Sequence, residues 1–242
     1  HGQIRRQRQM CIRDSPISLS QYLEKMPDTQ KEIYYISAET SAQALASPHL
    51  EGFKSKNIPV LIMTDAIDQF WLPMVGSFKE KKFTSITQGK INLDELDSKN
   101  KDKKNKSNDD KDKQDKEYVD LIAQLKVVLG DQVKDIRLSS KLTDSPVCLV
   151  ADEGDMDIAM EQLMAQRDSN YKGAPRILEI NGDHSLIKNM KSLLSKKESN
   201  DLVSDAGTLL FEQARLMEGK MPADPAQFSK IMNQFLLKAI PN

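Results

Sequence analysis

The segment DSKNKDKKNKSNDDKDKQDK, Asp97 to Lys116, contains no apolar residue. Such a run cannot bury enough surface to offset the entropy of ordering it, so it is expected to be a flexible linker or a solvated helical extension. No single hydrophobic core can pass through it. The 242 residues therefore divide into a first region, residues 16–96, a charged tract, 97–117, and a second region, 118–242. Lysine and aspartate interleave within the tract and nearly cancel, which makes it a poor ligand for nucleic acid. The formal net charge of −1 adds no general attraction to nucleic acid or to an anionic membrane. No apolar run approaches the roughly 20 residues needed to span a bilayer, so neither nucleic acid nor membrane is expected as a partner.

Residues 1–15, HGQIRRQRQMCIRDS, are basic, and Ile4, Met10 and Ile12 follow neither a helical nor a strand period. The stretch lacks the continuous apolar core of a secretory signal. It resembles translated sequencing-adapter read-through joined to a truncated gene, and it is expected to lie outside the fold. Cys11 and Cys148 are far apart and share no CxxC spacing. That argues against a disulfide framework or a zinc site and fits a reducing compartment, the cytoplasm.

From Pro16 the pattern becomes regular. Ser18 is placed to cap a helix carrying Leu19, Tyr22, Leu23 and Met26. EIYYIS, IPVLIMT and KKFTSIT read as strands, the second uninterrupted by polar residues and so expected to be buried on both faces. SAQALAS and DAIDQFWLPMVGSF read as helices, the latter capped by Asp65 and disturbed by Pro73. Strands alternating with helices predict a small layered α/β unit with a parallel or mixed sheet. Phe70, Trp71 and Leu72 are three consecutive large apolar residues, and a helix cannot bury all three against one core. Either Pro73 bends the chain so that they pack locally, or part of the group forms an exposed contact patch.

The second region reads as α+β. YVDLIAQLKVVLG is a helix with Val119, Ile122, Leu125, Val128 and Leu129 inward and Gly130 as its stop. QVKDIRLSS, SPVCLVADE and RILEIN read as strands. The helix in GDHSLIKNMKSLLSKK turns Leu186, Ile187, Met190, Leu193 and Leu194 inward and places lysines in its last turn. Glu153 to Gln166 reads as a helix with a stripe of Met156, Met160, Leu163 and Met164, which is either core or a surface offered to something else. Two amphipathic helices close the chain, the last with Asp224 as cap and Pro225 in its first turn. Their apolar surface, Leu209, Leu210, Leu216, Phe228, Met232, Phe235 and Leu236, can pack on its own domain or pair with a second copy about a two-fold axis.

The catalytic search is mostly negative. The sequence has no GxGxxG, Walker loop, HExxH, GxSxG or SxxK. Asp65 and Asp68 lie where an α/β ligand site would be, and His184 is flanked by Asp183 and Ser185. A small hydrolase-like enzyme using Asp65, Asp68 and His184 is the rival reading. Against it, neighbouring residues in NGDHS are better explained as helix capping by Asn181, Asp183 and Ser185. No metal site is expected.

SLSQYLEKMPDTQKEIYYI, SPHLEGFKSKNIPVLIMTDAIDQF, VKDIRLSSKLTDSPVCLVADEGDM, RILEINGDHSLIK and DPAQFSKIMNQFL, in that order, resemble the heat shock protein 90 chaperone family from about Ile17 to the last turn. The resemblance implies the end of the family's middle domain followed by its C-terminal dimerisation domain. It further implies a homodimer that binds non-native client proteins, and a parent protein driven by ATP and Mg2+. The family's nucleotide-binding residues would lie upstream, so no cofactor and no enzyme activity are expected of this chain itself. On the same resemblance the client-binding residues are Phe70 and Trp71 in the middle domain, and Met160 and Met164 in the C-terminal one, with Met156 of the same stripe added to the set. Pro73 departs from the polar residue usual there. The helical hairpin becomes the dimer interface. Methionine suits a client surface because an unbranched, polarisable side chain adapts to differently shaped apolar partners.

Overall fold

The computed structural model describes residues 9–10, 13–27, 29–89, 91–93, 104–168, 171, 173–195 and 200–240, with side chains from Ile17 onward except at 104–115 and Ser195. His1, Cys11, residues 97–103 and the lysines at 196 and 197 lie outside the described residues. The chain forms two compact units, His1–Asp102 with Val150–Ala174, and Lys103–Leu149 with Pro175–Asn242. These units depart from the expected regions 16–96, 97–117 and 118–242 by dividing the charged tract between Asp102 and Lys103, and in one larger respect. Val150–Ala174, which carries the methionine helix, packs with the first unit.

The first unit is built on a mixed sheet of β1 (Gln9–Met10), β2 (Arg13–Pro16), β3 (Ile33–Ser37), β4 (Leu61–Met63), β5 (Ser77–Phe78) and β6 (Lys81–Ser85). The strand order is β2-β1-β4-β3-β6-β5. β3 runs parallel to β4, with Tyr35 opposite Leu61, and parallel to β6, with Ile33 opposite Phe83. Within residues 1–15, expected outside the fold, Gln9–Met10 pairs antiparallel with β4 and with β2, which ends at Pro16. Because side chains alternate across a strand, Tyr34, Ile36 and Ile62 join one apolar cluster with Leu50 and Phe53. Ile33, Leu61 and Met63 join another on the opposite face with Tyr22, Leu72 and Phe83. The central strands are thus buried on both faces, as the uninterrupted apolar run predicts.

The helices of this unit are α1 (Leu19–Lys25), α2 (Ser41–Leu45), α3 (Glu51–Ser55) and α4 (Asp68–Val75). Ser18 caps α1 in a reciprocal box with Gln21. Tyr22 is fully buried, so its hydroxyl must be satisfied. It donates to the Pro59 carbonyl at 2.7 Å and accepts from Gln30 Nε2 at 2.8 Å.

The second unit opens with α5 (Lys104–Leu129), one continuous helix from the charged tract into the apolar sequence. The described part of the tract is therefore a helical extension. Tyr118, Leu121, Leu125 and Leu129 form the buried face of α5, whereas Val119, expected inward, is 55% exposed. The helix is rotated from the predicted phase because Tyr118 brings more apolar area than Val119. Its hydroxyl also finds the Gly182 carbonyl at 2.5 Å. Gly130, at φ +50°, ends α5.

Three strands follow, β7 (Val133–Leu138), β8 (Val147–Val150) and β9 (Arg176–Ile180), in the order β7-β9-β8. Every residue of β9 is buried, including Glu179. That carboxylate accepts from Arg137 Nη2 at 2.8 Å and Ser139 Oγ at 2.9 Å, which compensates its desolvation. α5 packs against β7, α7 (Ser185–Ser195) and α8 (Asn200–Met217) pack on α5, and α9 (Pro225–Ala239) packs on α8. Ile187 and Met190 of α7 are buried as predicted, but Leu186 is exposed. α5 and α8 approach closely at Gly207, where a Cβ would lie 2.3 Å from Leu125 Cδ2. Among the described residues, no helix is long and apolar enough to cross a membrane.

Candidate functional site

The methionine helix, α6, spans Ile158–Arg167 and is shorter than its apolar pattern suggests. Glu153 to Met156 form a turn, with Gly154 at φ +90°, a conformation a helix cannot contain. Met156 therefore precedes the helix and is exposed, with its sulfur 4.0 Å from the Tyr171 hydroxyl. The helix starts where Asp157 can cap it, Oδ1 accepting from Ala159 N–H at 2.9 Å.

The second carboxylate oxygen of Asp157 does different work. Oδ2 accepts from Thr87 Oγ1 at 2.8 Å and from Ser85 Oγ, residues at and just beyond the end of β6. Gln88 adds a bond from Nε2 to the Asp155 carbonyl. Backbone bonds from Gly89 N–H to Ala151 C=O at 2.8 Å and from Ala151 N–H to Thr87 C=O at 2.9 Å continue the attachment. These contacts are why Val150–Ala174 belongs to the first unit. Burial, aided by the negative charge of Asp157, pushes the Tyr35 phenol well above its ordinary pKa.

The docking side of α6 is made by Ile158, Ala159 and Glu161, all buried. At 100° per residue, Met160, Leu163, Met164 and Arg167 fall on the opposite side. Met160, Leu163 and Met164 are half-buried and belong to none of the apolar clusters. The stripe is spaced like a core face but points away from the core.

α4 presents a comparable stripe. Its helix begins at Asp68 rather than at Asp65, whose Oδ1 accepts from Ile67 N–H at 3.2 Å in the preceding turn. The three consecutive apolar residues separate as helix geometry requires. Leu72 is buried, and Trp71 packs edge-on against Phe83 with centroids 5.7 Å apart. Trp71 Nε1–H donates to Asp68 Oδ1 at 2.6 Å, so the indole is anchored to its own unit. Phe70 is half-buried and joins none of the clusters. It lies on one face with Ile67, 44% exposed, and Met74, 86% exposed. Sequence reasoning missed Ile67 and Met74, although their i, i+3, i+7 spacing with Phe70 was legible. Pro73 is exposed on another face, and the helix continues past it to Gly76 at φ +67°. The two stripes meet where the Arg167 guanidinium lies over the Phe70 ring, 6.0 Å from its centroid.

The hairpin residues in the second unit divide into two sets. Leu210 is 5% exposed and belongs to the unit's own core, and Phe235 packs against that core. Leu209 and Phe228 are half-buried. Leu216, Met232 and Leu236 are exposed, together with Met217, Leu237 and Ile240. Of α9, only Ile231 is buried.

The hydrolase reading finds no support. Asp65 and Asp68 belong to the first unit and His184 to the second. Both aspartates serve local turns, and His184 Nδ1 accepts from Leu186 N–H at 3.1 Å as the cap of α7. Capping was expected there, but of Asn181, Asp183 and Ser185 as agents. Asn181 instead closes the preceding turn through Asp183 N–H at 3.0 Å. Among the described residues, no group of three His, Cys, Asp or Glu side chains is arranged to hold a metal ion.

Two units that mix helices and strands, the first with partly exposed methionine and aromatic stripes, can now be set beside known sequences. The Hsp90 protein family model matches residues 8–241, and the chain belongs to that family. Within it, the chain is similar to bacterial proteins named chaperone protein HtpG. It is 39% identical to that of Roseobacter denitrificans over 225 residues, 92% of this chain and 36% of the relative. The Streptomyces coelicolor protein is 35% identical over 219 residues, 90% of this chain and 33% of the relative. The protein of Wolbachia pipientis wMel is 37% identical over 223 residues, 92% of this chain and 34% of the relative. The chain thus spans about one third of the length of the curated relatives it matches.

Proposed function

We propose that this chain is the client-binding and dimerising part of a cytoplasmic chaperone whose full-length form is driven by ATP with Mg2+. The observation that carries the client reading is the direction of the α6 stripe. Met160 and Met164 lie opposite the buried Ile158, Ala159 and Glu161, partly exposed and outside the apolar clusters. A face used only for packing would turn inward, where apolar burial is worth about 1.5–3 kcal/mol per large side chain. Phe70, with Ile67 and Met74, extends the surface along α4, and Met156 lies just before α6. Trp71 is chiefly an anchor of α4. Homodimerisation rests on the exposed apolar residues of α8 and α9, which a second copy would cover about a two-fold axis. The chain alone is expected to turn over no ATP.

The test is Met160→Asp together with Met164→Asp. Affinity for an unfolded, reduced client is expected to fall about tenfold or more, because two charges would have to be desolvated in the contact. Sedimentation should still report the dimer. Unchanged client affinity would leave a dimerising scaffold without a client surface.

A further inference from the structure

The two apolar stripes of the first unit meet at a cation. Ile67, Phe70 and Met74 run along α4, Met160 and Met164 along α6, and Arg167 at the end of α6 covers the Phe70 ring. Among the described residues the Arg167 guanidinium makes no ion pair. Glu39 contacts the end of α6, but its Oε1 is occupied by Gln166 Nε2 at 3.0 Å. Gln166 is one residue from Arg167, about 100° around the helix, so that carboxylate lies to the side of the stripe. Asp168, next in the chain, lies beyond the helix as its C-cap and has other contacts.

We infer that Arg167 makes this surface selective for apolar segments that carry a carboxylate beside their hydrophobic residues. The inference rests on the client-binding reading above and names the class of client segment. A guanidinium over an aromatic ring keeps its edge donors free, and those donors match a carboxylate in paired geometry. Apolar residues of the client would lie on the methionines and Phe70, and an Asp or Glu a few residues away would reach Arg167. A Lys at the same place would meet like charge.

The experiment uses the full chain and three labelled peptides with one apolar sequence, flanked at one end by Asp-Glu, Gln-Gln or Lys-Lys. Binding is read by fluorescence polarisation at low and high salt. The acidic peptide should bind about threefold tighter than the neutral one, as expected for a partly exposed ion pair, and the basic one correspondingly more weakly. High salt should shrink the difference. Arg167→Gln should remove the preference, and Arg167→Glu should invert it. Urea midpoints equal to wild type show that neither variant is misfolded; if Arg167→Glu is unstable, Arg167→Gln alone decides. If the peptides bind equally whatever their charge, or if the preference survives Arg167→Gln, the inference is overturned and the client surface stands. If no peptide binds at all, the client-binding reading falls and takes the inference with it.

Discussion

Two helices of this molecule, α6 and α9, start in the same way and come to different ends. Each is capped by an aspartate, and each carries an apolar stripe with methionine in it. Asp224 spends one oxygen on the first turn of its own helix, accepting from Ala226 N–H at 3.0 Å and Gln227 N–H at 2.9 Å. Asp157 spends one oxygen in that way and the other on Ser85 and Thr87, some seventy residues earlier in the chain. α6 is therefore docked on one side by polar bonds beside the buried Ile158 and Ala159, which leaves its methionine side outside the apolar clusters. α9 has no such attachment, and one buried residue, Ile231, with half-buried Phe228 and Phe235, holds it to its unit. Apolar side chains pointing outward thus have two origins here. In α6 they are what remains after a polar docking, and in α9 they exceed what the unit can cover.

The contrast can be broken most forcefully at α9. Met232→Asp with Leu236→Asp places charges in the proposed two-fold contact, once in each protomer. The expected loss is roughly 5 kcal/mol or more of association energy, read as a monomer in sedimentation at tens of micromolar. A dimer that survives would assign the exposed residues of α9 to some other partner.

Next in size is Asp157→Ala. It removes a cap and leaves the Ser85 and Thr87 hydroxyls with each other and the Thr87 N–H but without their carboxylate acceptor, which should cost the first unit about 3 kcal/mol. Hydrogen exchange should quicken along α6 and leave α9 unchanged. A loss below about 0.5 kcal/mol would mean that Ile158 and Ala159 alone dock the helix. Asp224→Ala should give the smallest effect, about 1 kcal/mol, confined to the first turn of α9 and to the second unit's urea midpoint. Equal costs for the two aspartates would remove the distinction between a local cap and a docking residue.

Much of the fold was legible because local signals agreed with tertiary need. Ser18, Asp224 and Pro225 mark helix starts, Gly130 marks a stop, and the run IPVLIMT announces a strand covered on both faces. Legibility fell where long-range bonds decide. Nothing around Asp157 reveals that its second oxygen is taken by Ser85 and Thr87, so the assignment of Val150–Ala174 to the first unit could not be read. Helix phase was uncertain where several apolar residues competed. Val119 lost to Tyr118, which brings more apolar area and a satisfied hydroxyl, and Leu186 lies exposed beside the buried Ile187. At the candidate site, Met160 and Met164 were singled out through resemblance, since their spacing is that of a core, whereas the run of Phe70, Trp71 and Leu72 already pointed to Phe70. Ile67 and Met74 were in plain view once Phe70 was chosen, and Arg167 needed coordinates.

The excursion of Val150–Ala174 into the first unit has a mechanical corollary. The polypeptide crosses from one unit to the other at three points, near residues 102, 149 and 174. A protease cut in the charged tract would sever one of these connections and leave the halves tethered by the other two. Neither half can be cloned as a single uninterrupted gene segment, and a pull applied between them is shared by three covalent strands.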